Sequence, residues 1–414
     1  MKATAGVSVE PRRDVQRRTL RVLVVAQLFA GIGLASGISV AALLARDLLG
    51  GATLSGLPIA VAGVGGALAA LPLSRLMARS GRRPGLAAGY LTGASGCAVV
   101  LLAAELRSFP LLVAGMMLFG VGNTAGLLAR YAATDLALAE RRGRAVSTIL
   151  FATAFGAIAG PNLVAPAGAL AESWSLPSLA GPFVLSLGAY VVAAAVITVS
   201  LRPDPLLTAG RDTPVGPARS DSSVWGAVLH GPALAGLLAM VGAQFVMVAM
   251  MSMTPLHMSG HGHGLGVIGF IISLHIAGMY LFSPVGGYLN DRFGSAFAIS
   301  LGAGALLAAG LLGALASPAS VALLAVALFL LGLGWGLSLV GGTSLLTASV
   351  SPEQRVAAQG NADVLVGLAG ASGGISSGVL LAFSGFGTIG LVTAAVAAVL
   401  LVLAVRRRAP LEVA

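Results

Sequence analysis

Charged side chains are scarce in this 414-residue sequence: only 9% of its residues are Asp, Glu, Lys or Arg, whereas ordinary soluble domains have about 25%. So few charged side chains cannot form the water-exposed surface of a soluble protein. Soluble enzymes and nucleic-acid-binding proteins are therefore excluded. Hydrophobic residues make up 57% of the chain, and there are 58 glycines. This composition is typical of membrane helices that pack closely in lipid.

Cysteine is almost absent, because Cys97 is the single one and lies inside an apolar stretch. The chain therefore has neither an internal disulfide nor a thiolate cluster for zinc or iron–sulfur. The apolar stretches also lack a nucleophile–base pair and a carboxylate dyad, so we expect no enzyme activity and no bound cofactor. The net charge of +10 comes from short loops between apolar runs, which indicates a lipid bilayer and not a nucleic acid as the partner.

Long polar segments are scarce as well. Apolar runs of roughly 20 residues, the length that crosses about 30 Å of hydrocarbon, occur twelve times, and the polar stretch 203–224 separates six from six. We predict an all-α integral membrane protein with a tail 1–19, a six-helix bundle 20–202, a linker 203–226, a second six-helix bundle 227–406 and a tail 407–414. The predicted spans are 20–45, 53–78, 85–105, 109–134, 145–171, 179–201, 230–256, 265–289, 296–316, 319–349, 358–384 and 386–405.

Basic residues are placed unevenly between the two sides of the predicted membrane. If the N-terminus is cytoplasmic, all of the 24 Lys and Arg residues except Arg46 and Arg107 lie on the cytoplasmic side, as the positive-inside rule demands. Residues 1–21 are polar and basic without a cleavable signal pattern, so we expect the first apolar run to remain in the mature protein. We predict a multi-pass protein of the bacterial cytoplasmic (inner) membrane with both termini cytoplasmic.

The two halves repeat each other with one offset. Arg-Ser-Gly at 79–81 recurs as Arg-Phe-Gly at 292–294, and Glu140 with Arg142 recurs as Glu353 with Arg355, each 213 residues later. Two separate sequence matches with the same offset indicate a true internal repeat. Parallel six-helix halves joined by a cytoplasmic linker are typical of transporters that work by alternating access around a midplane site.

Residues 287–294, Gly-Tyr-Leu-Asn-Asp-Arg-Phe-Gly, match the GxLxDRxG loop of the major facilitator superfamily, and the chain resembles that family over nearly its whole length. The first half carries a degraded copy that ends at 79–83, with Ala78 at its acidic position. The resemblance implies a fold of two pseudo-symmetric six-helix bundles. It also implies a first-half loop without its acid and a conformational latch formed by Gly287, Asp291, Arg292 and Gly294.

All five histidines and seven of the eleven methionines fall within 50 residues of the second half. Thioether and imidazole together select soft or borderline metals, above all Cu(I), whereas hard cations need oxygen ligands. Met247 with Met251 and His275 with Met279 have i,i+4 spacing, which puts each pair on one helix face. Met247 and His275 each lie 14 residues from His261 near the loop apex, so we expect the two pairs to meet at similar depth.

The alternative interpretation is that the methionines fill helix interfaces and that the histidine hydrogen-bonds a substrate. The paired motifs MxxxM and HxxxM, at this separation, resemble the CcoA-like branch of the superfamily, which imports copper for assembly of haem-copper cytochrome oxidase. That resemblance implies copper as the transported substrate, with Met247, Met251, His275 and Met279 as its ligands. The same branch includes riboflavin importers, so a flavin or similar organic solute is an alternative substrate.

The segment between the two motifs carries His257, His261 and His263. The predicted orientation makes it an extracytoplasmic loop that could capture metal before the membrane site receives it. A wet polar turn between two helices is the alternative. A capture role predicts that removing the three histidines lowers the apparent affinity without abolishing transport.

Two further patterns bear on transport direction and coupling. Gly156-x-x-x-Gly160-Pro161 resembles the antiporter motif of proton-coupled drug exporters, so a multidrug exporter is the alternative with the opposite direction. Ionisable residues inside membranes usually face a cavity or one another. The candidates for proton coupling or a cytoplasmic gate are therefore Asp363, Arg130 and Asp135, the last two of which we expect to form an ion pair.

These observations predict a secondary active transporter that imports copper across the cytoplasmic membrane by alternating access. Import of riboflavin or another organic solute, and proton-coupled drug export, are the alternatives. A metal sensor that does not transport would need an appended signalling domain, and none fits in the linker or the tails.

Overall fold

The computed structural model describes residues 9–49, 57–211, 221–263, 265–316 and 320–406, and these are almost entirely helical. Parts of the predicted tails and linker (residues 1–8, 212–220 and 407–414) lie outside the described residues. The helices are α1 Val9–Leu49, α2 Leu57–Ser80, α3 Arg82–Glu105, α4 Phe109–Thr134, α5 Arg142–Asn162, α6 Val164–Ser173, α7 Gly181–Ser200, α8 Pro205–Arg211, α9 Asp221–Val228, α10 Gly231–Gly260, α11 Leu265–Tyr280, α12 Ser283–Phe293, α13 Ser295–Leu315, α14 Val321–Ser349 and α15 Arg355–Arg406.

Twelve segments of the described chain are long and apolar enough to cross a membrane, which confirms the all-α, twelve-span prediction. Helix α15 contains two of these spans, Arg355–Leu381 and Phe383–Val405, because the chain reverses direction at Gly385, whose φ of 80° is left-handed. Only glycine adopts that conformation without steric cost.

Two predicted spans are wrong in detail. The span 145–171 is interrupted, because α5 ends at Asn162 and α6 begins at Val164; Pro161 and Pro166 each lack the N–H that a continuous helix needs. The span 265–289 is also interrupted, because α11 ends at Tyr280 and α12 begins at Ser283, with Pro284 in its first turn. Proline is favoured there, since the first-turn N–H groups have no partner within the helix.

The helices form two bundles with separate apolar cores. The first core is formed mainly by helices α1, α2, α3, α4, α5 and α7, and the second by α9, α10, α11, α13, α14 and α15, with Val146 and Leu150 of α5 packed against it. Glycine permits very close helix contacts within each bundle; a methyl group at Gly120 of α4, for example, would collide with the carbonyl oxygen of Ala62 in α2. Close backbone approach of this kind replaces the hydrophobic effect as the source of helix association in lipid.

We call the end of the protein that carries residues 80–82, 135–142, 293–295 and 350–355 the linker end, and the opposite end the far end. The positive-inside rule predicts that the linker end is cytoplasmic. Contacts between the two bundles extend from the linker end, where Gly360 of α15 meets Ser74 of α2 and Gly287 of α12 meets Ser147 of α5, to the middle of α2, where Gly367 meets Ala67. The structure is therefore closed at the linker end.

Candidate substrate site

The two helices that carry the predicted metal-binding motifs both pack on α14. Helices α10 and α11 each pack extensively on α14 and only sparsely on one another. A methyl group at Gly332 of α14 would collide with the carbonyl oxygen of His275 and lie 2.8 Å from the backbone nitrogen of Met279. On the other side, Nε1 of Trp335 donates a 2.8 Å hydrogen bond to Gln244 of α10, one turn before Met247. Both motifs therefore lie at the level of residues 328–336 of α14.

His275 is fully buried, and its ring orientation is fixed. Its Nδ1 lies 2.8 Å from the backbone carbonyl oxygen of Leu328 in α14. Because a carbonyl oxygen only accepts, Nδ1 of the neutral ring carries the proton, and Nε2 presents a lone pair. Nε2 is shielded from solvent and has no hydrogen-bond partner among the residues described. This is the tautomer that a metal-binding or hydrogen-bond-accepting histidine needs.

The three predicted methionine ligands lie in the core of the second bundle. Met247 and Met279 are buried in one apolar cluster, and Met251 packs against that cluster. His275 reaches the same bundle core through its bond to Leu328 of α14, and its Nε2 has no hydrogen-bond partner among the residues described, so the structure shows four buried or half-buried donors without a closed ligand shell. Met250 differs from them, because its terminal methyl group fills the space beside Gly313 of α13. Part of the methionine-rich segment is therefore ordinary packing.

The histidine-rich segment is more helical than expected. His257 lies within α10, which continues to Gly260, so the prediction of a loop is wrong for this residue; the turn begins at His261. The rings of His257 and His261 are 4.6 Å apart, and the His257 ring stacks on Phe386 at 4.4 Å. Partial burial, followed by the neighbouring His261 and His263, lowers the pKa of His257.

The predicted ion pair between Arg130 and Asp135 is wrong. Arg130 of α4 instead pairs with Asp363 of α15, and its guanidinium also bonds Tyr131 at 3.0 Å and Thr343 of α14 at 3.3 Å. Asp135 follows Arg130 by five positions, just after the end of α4; five helical positions are more than one turn, so the two side chains point in different directions. Arg130 and Asp363 are thus a buried charge pair between the two bundles.

Asp135 belongs to a second network at the linker end. Arg82, at the start of α3, bonds both carboxylate oxygens of Asp135 at 2.8 and 3.0 Å and Gln359 of α15 at 2.8 Å. The side chains of Arg82 and Asp135 are almost completely buried. Sequence reasoning did not single out Arg82 or Gln359; the available signal for Arg82 was its position within the degraded loop copy that ends at 79–83.

Two of the four latch residues predicted by resemblance, Gly287 and Asp291, contact the other bundle. The carboxylate of Asp291 accepts hydrogen bonds from the backbone N–H of Gly143 (2.7 Å) and from the backbone N–H and Nε of Arg144 (3.0 and 2.9 Å). A carboxylate at the start of α5 is also favoured by the helix dipole. Gly287 packs against Ser147, Gly294 has a left-handed φ of 87°, and the guanidinium of Arg292 lies over the Phe293 ring.

The first-half loop has no acid at Ala78, and the linker supplies one. A carboxylate oxygen of Asp204 accepts a 2.7 Å hydrogen bond from the backbone N–H of Arg83. The same carboxylate leaves no room for a side chain at Gly81, whose φ is 93°. Both loops therefore end beside a carboxylate, although the two acids come from different parts of the chain.

The glycines of the antiporter-like motif have a packing role in the structure. Gly156 of α5 lies against Gly31 of α1, and Gly160 lies against Ala35 and Ser36. The hydroxyl of Ser36 donates a 3.1 Å hydrogen bond to the carbonyl oxygen of Gly160. This arrangement explains the two glycines without reference to transport direction.

Comparison with known proteins identifies the family. The model of the Major Facilitator Superfamily matches residues 23–267 and 253–414. The chain belongs to this superfamily. It is a multi-pass membrane transporter and not an enzyme.

Relatives and solved structures agree with this assignment. The chain is 43% identical over 404 residues to an uncharacterised MFS-type transporter, YddS of Bacillus subtilis, covering 95% of this chain and 92% of that protein. It is 28% identical over 396 residues to the riboflavin transporter RfnT of Brucella anthropi, covering 95% and 96% of the two chains. The fold matches the human organic anion transporter MFSD10 with a TM-score of 0.72 at 17% identity, over 94% of this chain and 99% of that one.

Proposed function

We propose that this transporter carries copper into the cell through a site formed by Met247, Met251, His275 and Met279. The observation that supports it is the buried His275 ring, whose Nδ1 is bonded to Leu328 and whose Nε2 has no partner in the described part of the chain. In a typical metal-binding histidine, one ring nitrogen donates a hydrogen bond to a protein carbonyl or carboxylate and the other keeps a free lone pair for the metal. The other three proposed donors are thioethers, which favour Cu(I).

Transport follows from a ligand set that can be assembled and taken apart. Two donors lie on α10 and two on α11, and both helices rest on the glycine-lined face of α14. Rocking of the bundles would change the distance between the donors or admit water, so the ion can be released without a covalent step. The structure is closed at the predicted cytoplasmic end, so substrate would enter from the far end; because His275 is fully buried, loading also requires α10 or α11 to move.

Uptake of radioactive copper into cells tests the proposal with matched variants. We expect His275→Ala and the pair Met247→Leu/Met251→Leu to abolish uptake at equal protein abundance. Met250→Leu is the control, because Met250 packs on α13 and the substitution conserves side-chain volume. Normal uptake in the His275 variant, or equal loss in the Met250 control, would contradict the copper site.

Riboflavin is the second candidate substrate, because the relative RfnT is a riboflavin transporter. A flavin imide N–H could donate a hydrogen bond to Nε2 of His275, and the methionines would pack beside its ring. Parallel uptake of labelled riboflavin distinguishes the two substrates. If riboflavin uptake depends on His275 and excess copper does not inhibit it, the proposed substrate becomes a flavin and not copper.

A further inference from the structure

A basic cavity lies at the linker end, outside the candidate substrate site. Its volume is about 310 Å³, and it lies between the start of α1, the start of α5 and the connection that follows α4. Four arginines line it: Arg13 and Arg17 from α1, Arg141 from the turn before α5, and Arg144 from α5. Arginine clusters of this kind bind phosphate groups, because each guanidinium offers several N–H donors in a planar array.

The nearby acids do not neutralise this cluster. Asp14 lies 3.9 Å from Arg17, but both side chains are largely exposed, so this ion pair is weak. Asp291 takes one N–H of Arg144, and a guanidinium has five donors. The cavity therefore keeps a net positive charge and free donor capacity.

Part of the cavity lining is apolar. Leu20, Leu136 and Leu138 line it together with Ala137, Ala145 and Thr148; Leu136 is buried, whereas Leu138 is exposed at the linker end. Along α1 the lining changes from Arg13 to Leu20 over seven residues, or about 10 Å of helix. That distance is comparable with the passage from the phosphate region of a membrane to its acyl chains, so the lining suits an amphipathic ligand.

Gln16 indicates that the ligand of this cavity carries a hydrogen-bond donor. This residue lines the same cavity, and its Nε2 donates a 2.7 Å hydrogen bond to the carbonyl oxygen of Ala133. Its Oε1 therefore points away from Ala133; it is shielded from solvent and unpartnered within the described ranges. An acceptor in this position fits a ligand that carries a hydroxyl group as well as a phosphate.

We propose that this cavity binds the headgroup of phosphatidylglycerol. The arginines hold the phosphate, a glycerol hydroxyl donates to Oε1 of Gln16 once that side chain rotates toward the cavity, and the acyl chains pass Leu20 along α1 into the membrane. A basic cluster next to a membrane span is also the usual site of anionic lipid recognition. Free glycerol phosphate shares the polar chemistry but would leave the leucine side without a partner.

Lipid binding to the purified full-length protein tests this site. Native mass spectrometry would measure binding of phosphatidylglycerol, phosphatidic acid, phosphatidylcholine and soluble glycerol 3-phosphate. The variant Arg13→Gln/Arg17→Gln/Arg141→Gln removes three cavity charges and spares Arg144, which pairs with Asp291. The matched control Arg18→Gln/Arg21→Gln/Arg79→Gln removes three exposed charges at the same end that do not line the cavity.

We expect the cavity variant to bind phosphatidylglycerol about tenfold or more weakly and the control to bind it normally. Gln16→Leu should weaken phosphatidylglycerol binding but leave phosphatidic acid unaffected, and it keeps the test valid if the triple variant does not fold. If both triple variants lose phosphatidylglycerol binding equally, the effect comes from overall charge and the proposed cavity site is contradicted. Equal binding of phosphatidylcholine, or of glycerol 3-phosphate in place of the lipid, would also overturn the proposal.

Discussion

Arg130 of α4 donates a hydrogen bond to Thr343 of α14, and the two residues are 213 positions apart. This separation equals the offset at which the sequence patterns of the two halves recur. Arg130 and Thr343 are therefore counterparts in the internal repeat. Residues that contact their own repeat counterparts must lie next to the pseudo-two-fold axis, so the Arg130–Asp363 ion pair lies where the two bundles rotate against each other.

Removing the charge of Asp363 should uncouple the bundles. In Asp363→Asn the buried guanidinium of Arg130 loses its counter-ion, and breaking a buried pair in this way costs about 3–5 kcal/mol. We expect a lower melting temperature in detergent and a transport rate reduced by about tenfold or more. Thermal unfolding of the purified protein and uptake in cells measure these two effects separately.

An apolar replacement separates stability from transport. The double variant Arg130→Met/Asp363→Leu should recover most of the lost stability, because apolar side chains often replace a buried ion pair at little cost. Transport should stay low if the charges are needed for gating or proton coupling. Arg107→Gln is the control, since Arg107 pairs with Asp47 on the exposed far end. Restored transport in the double variant would reduce the ion pair to a structural role.

Loss of the Asp291 carboxylate should open the linker end. Asp291→Asn leaves two backbone N–H groups of α5 without a charged acceptor, which weakens the contact between α12 and α5. Ser74 of α2 is buried against Gly360 of α15 at the same end, so a cysteine placed there reports opening. In a Cys97→Ala background, we expect Ser74→Cys to react several-fold faster with a thiol reagent once Asp291→Asn is added. Asp14→Asn, a change of an exposed acid, should leave the labelling rate unchanged.

Gly332 should be required for the position of the HxxxM motif. A methyl group there meets the backbone of His275 and Met279, and backbone atoms of a packed helix cannot move aside singly. Gly332→Ala should therefore displace α11 and lower transport. Gly304→Ala in α13 is the control, because nothing lies within 4 Å of its added methyl group. Uptake assays at matched abundance decide the comparison, and similar activity in both variants would show that α11 tolerates displacement.

The sequence predicts the spans and the latch acid because each depends on a short contiguous pattern, and it predicts the repeat because two such patterns recur with one offset. Apolar length predicts a span, and the Asp291 motif is contiguous. The partner of Arg130 could not be predicted, since it depends on which helices become neighbours; Asp135 was near in sequence, and Asp363 is near in space. The same reason explains why Asp204 was missed, because a linker residue completes the first loop.

The three histidines of the far end should affect substrate affinity and not the maximal rate. His257 follows Met251 by six residues, or about 9 Å along α10, so these rings lie on the approach to the site. The lowered pKa of His257 keeps its ring neutral at neutral pH, and a neutral ring has a lone pair for a metal.

We expect His257→Asn/His261→Asn/His263→Asn to raise the copper concentration needed for half-maximal uptake by about three- to tenfold, as loss of a weak capture site would do. The control is His230→Asn, because His230 is exposed at the linker end. A reduced maximal rate with unchanged apparent affinity would place the histidines in the transport step itself, and unchanged kinetics would leave them as part of a polar turn.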